Sequence, residues 1–541
     1  MTTTAFPLLP FAAVRARLLA REETALLDVR EEDPFAQEHP LWAANLPLSR
    51  IEIEAWRRIP RRDTFIVLYG AHNGVDLAPL AARTLAAIGY TNLHLLEGGL
   101  EGWRAAGGEL FRDVNVPSKS FGELVEHERH TPSLSAPEVK ALVEGQANVV
   151  VLDARRFDEY QTMNIPTSTS VPGAELVLRV RALAPNPQTR VVVNCAGRTR
   201  SIIGTQSLIN AGLPNPVAAL RNGTIGWTLA GQTLERGASR RFPDDVDPAQ
   251  RDEARRAARA VAERAGVPRI ALADVAALDE PGRTLYRFDV RTPEEYEAGH
   301  LPGFASAPGG QLVQETDHQV PVRGARIVLA DDDGVRASMS ASWLAQMGWE
   351  VYVPDAVPPA SAFTETAAPP PAYPPAAAAV AEISPAELAA LLKQQIGTAV
   401  IDVTTSANYV KRHIPGAWYA IRAQLAGAID AAIPASQRYV LTCGSSLLAR
   451  YAAADLRLLL DARGQRDVEV LVLAGGNAAW FAAGLEAETG ETRLATPRTD
   501  RYRRPYEGTD APAEAMQAYL DWEYGLVAQL ARDGTHHFHV I

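Results

Sequence analysis

The chain has 541 residues and a formal net charge of −11, from 53 basic and 64 acidic residues. This charge argues against a general nucleic-acid-binding protein, which usually presents a basic face, and two cysteines are too few for a disulfide scaffold or a multi-cysteine metal site. The N-terminal segment lacks the features of a signal peptide and no apolar run is long enough to cross a membrane, so we predict a cytoplasmic protein without a membrane partner.

Four segments along the chain share one pattern, an apolar run that ends in aspartate and is followed by a polar turn. The aspartates are Asp28, Asp153, Asp289 and Asp402. A second apolar run follows each of them and ends at Gly70, Cys195, Asp331 and Cys443. Because the two ends lie about 42 residues apart in all four segments, the chain contains four tandem copies of one domain.

Each copy alternates short β-branched runs with helical patterns, which is typical of buried parallel strands joined by helices. We therefore predict an α/β fold of four tandem domains, each a small parallel sheet with helices on both faces. The predicted domains are residues 5–112, 131–240, 268–357 and 380–490. A helical tail is predicted over residues 491–541, with one helix from Asp510 to Gly534.

Two connections are also predicted. Residues 113–130 are polar and indicate a linker. Residues 247–266 are charged and indicate a connecting helix, with Asp247 as its N-cap and Gly266 at its end.

The repeated motifs resemble the rhodanese family. The resemblance rests on an Asp-x-Arg element, a His-[Leu/Ile]-Pro-Gly element, a cysteine loop and a closing Gly-Gly-x-x-x-Trp element. They occur as Asp28-Val-Arg30, Asp153-Ala-Arg155 and Asp289-Val-Arg291, as His300–Gly303 and His413–Gly416, as Cys195–Ser201, and before Trp103 and Trp480, with a variant before Trp227. The resemblance implies a sulfurtransferase, in which a cysteine takes a sulfane sulfur from thiosulfate or a similar donor and passes it to cyanide or a thiol.

The second domain carries the most complete loop. Cys195 ends a buried strand just before a helix, where backbone N–H groups and the helix N-terminus favour a thiolate. One or both of Arg198 and Arg200 can point at an anionic donor and offset the charge of leaving sulfite. We predict Cys195, Arg200 and Arg198 as catalytic residues. The predicted substrate-binding residues are Ala196, Gly197, Thr199, Ser201, Arg155 and Asp153.

Asp153 and Arg155 have two interpretations. Arg155 could add to the anion site, or the pair could fix the geometry of strand and loop. The same element occurs in the first and third domains, which lack a nucleophile, and this favours the structural interpretation.

The length of the cysteine loop separates two reaction types. Phosphatases and arsenate reductases that resemble rhodaneses carry the arginine six residues after the cysteine. Here Arg200 stands five residues after Cys195, and Ser201 occupies the next position. The loop therefore favours sulfur transfer over phosphatase or arsenate-reductase chemistry. A non-catalytic persulfide carrier or a scaffold for partner proteins is the other alternative.

The remaining domains differ at the nucleophile position. The first has Gly70 and the third has Asp331, in what we expect to be a solvated acidic loop, so both are predicted to be inactive. The fourth keeps Cys443 but has Leu448 in place of the arginine, which makes it a possible second site. No metal site and no cofactor are predicted. The predicted partners are a thiosulfate-like donor and a cyanide or thiol acceptor, and a protein acceptor remains open.

Overall fold

The computed structural model describes residues 6–367, 371–394, 397–508 and 510–541, so the predicted first boundary at residue 5 lies outside it. Four five-stranded sheets follow one another along the described chain. All strand pairs within them are parallel. The predicted α/β fold of four tandem domains is confirmed.

The first domain has the strand order β1-β7-β4-β2-β3, and β5 and β6 form a small separate hairpin. Its strands are β1 (Leu8–Leu9), β2 (Ala25–Asp28), β3 (Ala43–Asn45), β4 (Ile66–Tyr69), β5 (Ala71–His72), β6 (Val75–Asp76) and β7 (Leu93–Leu96). Its helices are α1 (Phe11–Ala20), α2 (Glu32–Gln37), α3 (Ile51–Arg58), α4 (Ala78–Ala87) and α5 (Gly99–Ala105). Helix α6 (Val116–Arg129) leads to the second domain.

The second domain has the order β10-β9-β11-β12-β8. Its strands are β8 (Ser133–Leu134), β9 (Val149–Asp153), β10 (Thr169–Ser170), β11 (Arg190–Asn194) and β12 (Val217–Leu220). Its helices are α7 (Ala136–Glu144), α8 (Phe157–Thr162), α9 (Leu176–Leu183), α10 (Thr199–Asn210) and α11 (Gly223–Leu229). Helix α12 (Pro248–Arg264) connects it to the third domain.

The third domain has the order β13-β17-β16-β14-β15 and the fourth β18-β22-β21-β19-β20. The third contains β13 (Arg269–Ile270), β14 (Leu285–Asp289), α13 (Pro293–Ala298), β15 (Ala305–Ser306), α14 (Gly309–Gln314), α15 (Thr316–Gln319), β16 (Arg326–Ala330), α16 (Arg336–Gln346) and β17 (Glu350–Pro354). The fourth contains β18 (Ala381–Ile383), α17 (Pro385–Gln394), β19 (Thr398–Asp402), α18 (Ser406–Lys411), β20 (Trp418–Tyr419), α19 (Leu425–Ala431), β21 (Arg438–Thr442), α20 (Leu447–Ala462), β22 (Glu469–Leu473) and α21 (Gly476–Ala482).

The tail contains α22 (Ala513–Tyr524) and α23 (Leu526–Asp533). Five short 3-10 helices complete the described elements, at Leu48–Arg50, Gly173–Glu175, Leu272–Leu278, Ala360–Ala362 and Arg422–Gln424. None of the described helices combines the length and apolar character that crossing a bilayer requires.

Strand β11 illustrates how the sheets are buried on both faces. Val191 and Val193 belong to one apolar cluster, which includes residues of α9 and α12. Val192 belongs to another, with Val139 of α7 and Trp227 of α11. Alternate side chains of a strand point to opposite faces, so a continuous apolar run is buried because helices cover both sides.

The connections differ in part from the prediction. Asp247 accepts hydrogen bonds from the N–H groups of Ala249 and Gln250 and caps α12 as predicted. The predicted linker at residues 113–130 contains α6, most of which is buried and packs on α10.

The predicted single tail helix is also wrong. The observed tail has two helices instead. The first begins only at Ala513, after Pro512, and Gly525 separates it from the second. Gly534 ends the second helix in the left-handed region, at a φ of 65°.

Candidate active site

Cys195 follows β11 at the carboxyl edge of the second sheet, and α10 begins four residues later. The side chain is 2% exposed. Its Sγ donates to Oγ of Ser201 at 3.4 Å, and that hydroxyl donates to the carbonyl of Arg198 at 2.8 Å. Ser201 therefore links the thiol to the backbone of its own loop.

The closing glycine element holds the loop backbone in place. Gly223 has a φ of 55°, and a Cβ there would lie 2.3 Å from the carbonyl oxygen of Cys195. The N–H groups of Thr224 and Ile225 donate to the carbonyls of Cys195 and Ala196 at 2.9 and 3.0 Å. A residue other than glycine would push this element away from the loop.

Arg200 supplies the positive charge that acts on the thiol. Its Nη1 and Nη2 donate to the two carboxylate oxygens of Glu159 at 2.8 and 2.9 Å. Burial opposes ionisation of Glu159, but the charge and hydrogen bonds of Arg200, together with the charges of Arg155 and Arg156, outweigh it and lower the pKa of this carboxyl to about 2. Glu159 thus fixes the direction of the Arg200 guanidinium as a bidentate partner.

Arg198 does not occupy the position that the sequence predicted. Its guanidinium is 3% exposed and pairs with Glu123 and Glu126 of α6, and it also donates to Asn222 and Tyr524. These contacts use all five N–H donors of an arginine. The structure therefore gives Arg198 the role of joining the loop to α6 and to the tail, and leaves it no donor for a substrate.

The thiol is less acidic than the loop position predicted. Burial raises the pKa of the Cys195 thiol, while the charge of Arg200 and hydrogen bonds with Ser201 lower it without restoring its ordinary value. The sequence prediction considered the loop alone. It missed the cover over the loop, which excludes water and so penalises the charged form.

That cover is the C-terminal tail. A Cβ on Gly197 would lie 3.2 Å from Cε1 of Tyr519 and 3.4 Å from Oε2 of Glu523, both on α22. Tyr519 and Leu520 form an apolar cluster with Ile225 of the second domain. The sequence predicted a helical tail, but nothing in it indicated which domain the tail covers.

The other predicted binding residues have structural surroundings. Thr199 is buried against Gly122 of α6, where a glycine Cβ would lie 3.0 Å from its methyl group. Within the described part of the chain its hydroxyl has no hydrogen-bond partner. Ala196 contributes its backbone, since its carbonyl also accepts from the Thr224 hydroxyl at 3.2 Å.

Asp153 and Arg155 form a buried pair. Arg155 donates to both carboxylate oxygens of Asp153 at 2.9 and 2.8 Å, and to the carbonyl of Met163, eight residues further on. Arg30 and Arg291 each repeat this pattern with their own aspartate and the carbonyl eight residues on. The geometry agrees with the structural interpretation of the pair, because it is the same in domains without a nucleophile.

An arginine-rich cavity of about 420 Å³ lies beside the loop. It is lined by the second domain, the third domain and the tail together. The basic residues in its wall are Arg155, Arg156, Arg200, Arg501 and Arg504, and the acidic ones are Asp158, Glu159, Glu315 and Glu507. Arg200 lies in the wall of this cavity, whereas Cys195 does not.

The third-domain loop is not the solvated acidic loop that the sequence predicted. Asp331 and Asp333 are buried, and Asp331 accepts the N–H groups of Gly334 and Ala337 at 2.9 and 2.8 Å. Arg336 pairs with Asp333 at 2.6 Å. The carboxylate of Asp331 therefore accepts backbone N–H groups of its own loop and of the start of α16.

The fourth-domain loop keeps the backbone but not the charge. Gly476 has a φ of 61°, and a Cβ there would lie 2.3 Å from the carbonyl oxygen of Cys443, as with Gly223 and Cys195. Leu448 is buried at the position that Arg200 holds in the second domain.

In the first domain, Gly70 is followed by the β5–β6 hairpin.

No group of three or more His, Cys, Asp or Glu side chains within the described ranges is placed to hold a metal ion. The two cysteines are both free and buried.

The rhodanese-like domain family matches four segments of the chain, residues 12–106, 135–230, 272–355 and 384–483, which together exceed half of its length. The chain belongs to the rhodanese-like domain family. Among solved structures, it is similar to a thiosulfate sulfurtransferase from Pseudomonas aeruginosa. The two share 63% identity over 99% of this chain and 100% of that chain, with a TM-score of 0.94. The chain is a rhodanese-type sulfurtransferase.

Two other similar structures match much smaller parts of the chain. The Alr3790 protein from Anabaena sp. is 25% identical over 20% of this chain and 84% of that chain, with a TM-score of 0.18. The As-Sb reductase from Leishmania major is 23% identical over 19% of this chain and 79% of that chain, with a TM-score of 0.17. No curated protein matches the chain.

Proposed function

We propose that the second domain moves a sulfane sulfur from thiosulfate or a similar donor to cyanide or a thiol, through a persulfide on Cys195. The observation that carries the proposal is the position of Cys195 between β11 and α10, with its Sγ hydrogen-bonded to Oγ of Ser201. The charge of Arg200 lowers the pKa of the thiol, although burial raises it more. The similarity to a thiosulfate sulfurtransferase supports thiosulfate as the donor.

The proposed reaction has two displacements. The Cys195 thiolate attacks the outer sulfur of thiosulfate, the bond between the two thiosulfate sulfurs breaks, and sulfite leaves with the electron pair. The protein then holds a Cys195 persulfide anion. Cyanide or a thiolate attacks its outer sulfur, the persulfide S–S bond breaks, and the Cys195 thiolate is regenerated.

Each side chain has a defined task in this proposal. Arg200 attracts the anionic donor and offsets the charge that develops on leaving sulfite, and Glu159 orients it. Ser201 hydrogen-bonds to the thiol sulfur. Arg198 is a positioning residue, because its contacts attach the loop to α6 and to the tail.

The proposal is tested by steady-state transfer of sulfur from thiosulfate to cyanide, together with mass spectrometry of Cys195 after exposure to thiosulfate. We expect repeated turnover and a mass increase of one sulfur atom on Cys195. Cys195→Ser should abolish both while the protein stays folded. A persulfide carrier would load one sulfur per site and then stop, and a phosphatase-like enzyme would instead hydrolyse a phosphate ester in a Cys195-dependent manner.

The physiological acceptor is a separate question for the same protein. A low-molecular-weight thiol and a protein thiol both fit the proposed second displacement. Sulfur transfer from the loaded protein to each class of thiol would distinguish them. The cytoplasmic location stays a prediction from composition.

A further inference from the structure

Glu523 brings a carboxyl group from the C-terminal tail to the Cys195 loop. It is 0% exposed. Its Oε1 accepts the hydroxyl of Tyr519 at 2.8 Å. Its Oε2 has no hydrogen-bond partner among the described residues, and it faces Gly197, two residues after the nucleophile. A buried polar atom without a partner is costly, and here it lies beside a reactive loop.

The surroundings of Glu523 do not neutralise it as an ion pair would. The titratable and charged groups that face it are Glu123 and Lys119 of α6, Arg198 of the loop, and Tyr519 of its own helix. Lys119 is already engaged with Asp113 at 2.6 Å, and the donors of Arg198 are taken by Glu123, Glu126 and other partners. Within the described residues, Glu523 has no salt bridge of its own.

We propose that Glu523 is a positioning residue of the Cys195 site. As a neutral carboxyl group, Glu523 lets the loop hold an anion. As a carboxylate, Glu523 disfavours an anion in the loop. The anion is the thiolate or, resting on the proposed function, the persulfide. Glu523 thereby gives the site an upper pH limit that comes from the tail and not from the rhodanese domain itself.

The electrostatics agree with this geometry. Burial and, to a smaller extent, the charge of Glu123 raise the pKa of Glu523, Lys119 opposes both, and the resulting pKa is about 8. The carboxyl group is thus mostly protonated at neutral pH. When ionised, it raises the pKa of the Cys195 thiol.

The primary test measures the thiol directly and does not need turnover. In protein carrying Cys443→Ser, so that only Cys195 reacts, iodoacetamide alkylation is followed from about pH 6 to 10. We expect Glu523→Gln to move the midpoint of alkylation down by about one pH unit, since it removes a charge in a poorly solvated site. Alkylation at pH 8 should become about tenfold faster.

The matched control is Glu514→Gln, the same chemical change at an exposed position on α22. It should leave the alkylation profile unchanged. Coincident profiles for Glu523→Gln and the parent protein would overturn the proposal, and so would an equal shift in Glu514→Gln.

Tyr519→Phe gives a second, independent test that holds even if Glu523→Gln fails to fold. Loss of the hydroxyl removes a hydrogen bond that favours the Glu523 carboxylate. The alkaline limb of kcat/KM should therefore move to higher pH, and the midpoint of alkylation in the Cys443→Ser protein should move to lower pH. An unmoved limb contradicts the proposal. If alkylation shifts as expected but no variant turns over thiosulfate, the proposed function fails and this inference stands.

Discussion

Replacing Arg200 by alanine tests which of the two loop arginines serves the reaction. Arg200 is 12% exposed and forms a salt bridge with Glu159. Of the groups that lower the pKa of the Cys195 thiol, Arg200 has the largest effect. A charge-assisted contact to an anion contributes about 1.5–3 kcal/mol. Its loss should lower kcat/KM for thiosulfate about ten- to a hundredfold.

The assay is steady-state transfer to cyanide, with KM and kcat measured separately and thermal unfolding recorded for each variant. Arg200→Lys should recover only part of the activity, because lysine keeps the charge but cannot pair with Glu159 in the bidentate geometry.

Arg198→Ala is the matched comparison. It leaves Glu123, whose side chain is 4% exposed, without its partner. Breaking a buried ion pair destabilises a protein by roughly 3–5 kcal/mol, so this variant should lose stability more than Arg200→Ala does. The reasoning is refuted if Arg200→Ala keeps kcat/KM within about twofold of wild type, or if Arg198→Ala lowers activity without any loss of stability.

Three further predictions follow from the same contacts. Cys443→Ser should leave thiosulfate turnover within about twofold, a change of only about 0.4 kcal/mol, because no arginine stands at the Leu448 position; a large loss would make the fourth domain a working site. Gly197→Ala should cost about 1–3 kcal/mol by crowding Tyr519 and Glu523, and an unchanged melting temperature would show that the tail does not press on the loop. The pKa of Glu523 is raised to about 8 in the folded protein. Above the ordinary pKa of glutamate the folded protein therefore binds more protons than the unfolded chain, so its stability falls as the pH rises towards 8. Glu523→Gln should flatten this pH dependence of the free energy of unfolding in urea, and an equal slope in both proteins would contradict the prediction.

The sequence by itself determined the repeat and much of the chemistry. The spacing between Asp153 and Cys195 recurs in all four domains because two adjacent parallel strands must end at the same edge of the sheet, and this constraint is local. The recurrence of Asp-x-Arg in domains without a nucleophile indicated a structural pair, and the contacts of Arg155 have that form.

Only the tertiary structure decided what covers the loop and where its arginines point. Arg198 and Arg200 are two positions apart on the same loop and helix start, yet one pairs with Glu123 of α6 and the other with Glu159 of α8. Gly197 meets Tyr519 and Glu523, more than 300 positions later in the chain. Hydrophobic period and motif spacing report which face of an element is buried, but they carry no information on which distant element buries it. The acidity of Cys195 depends on that distant cover, so it could not be read from the loop alone.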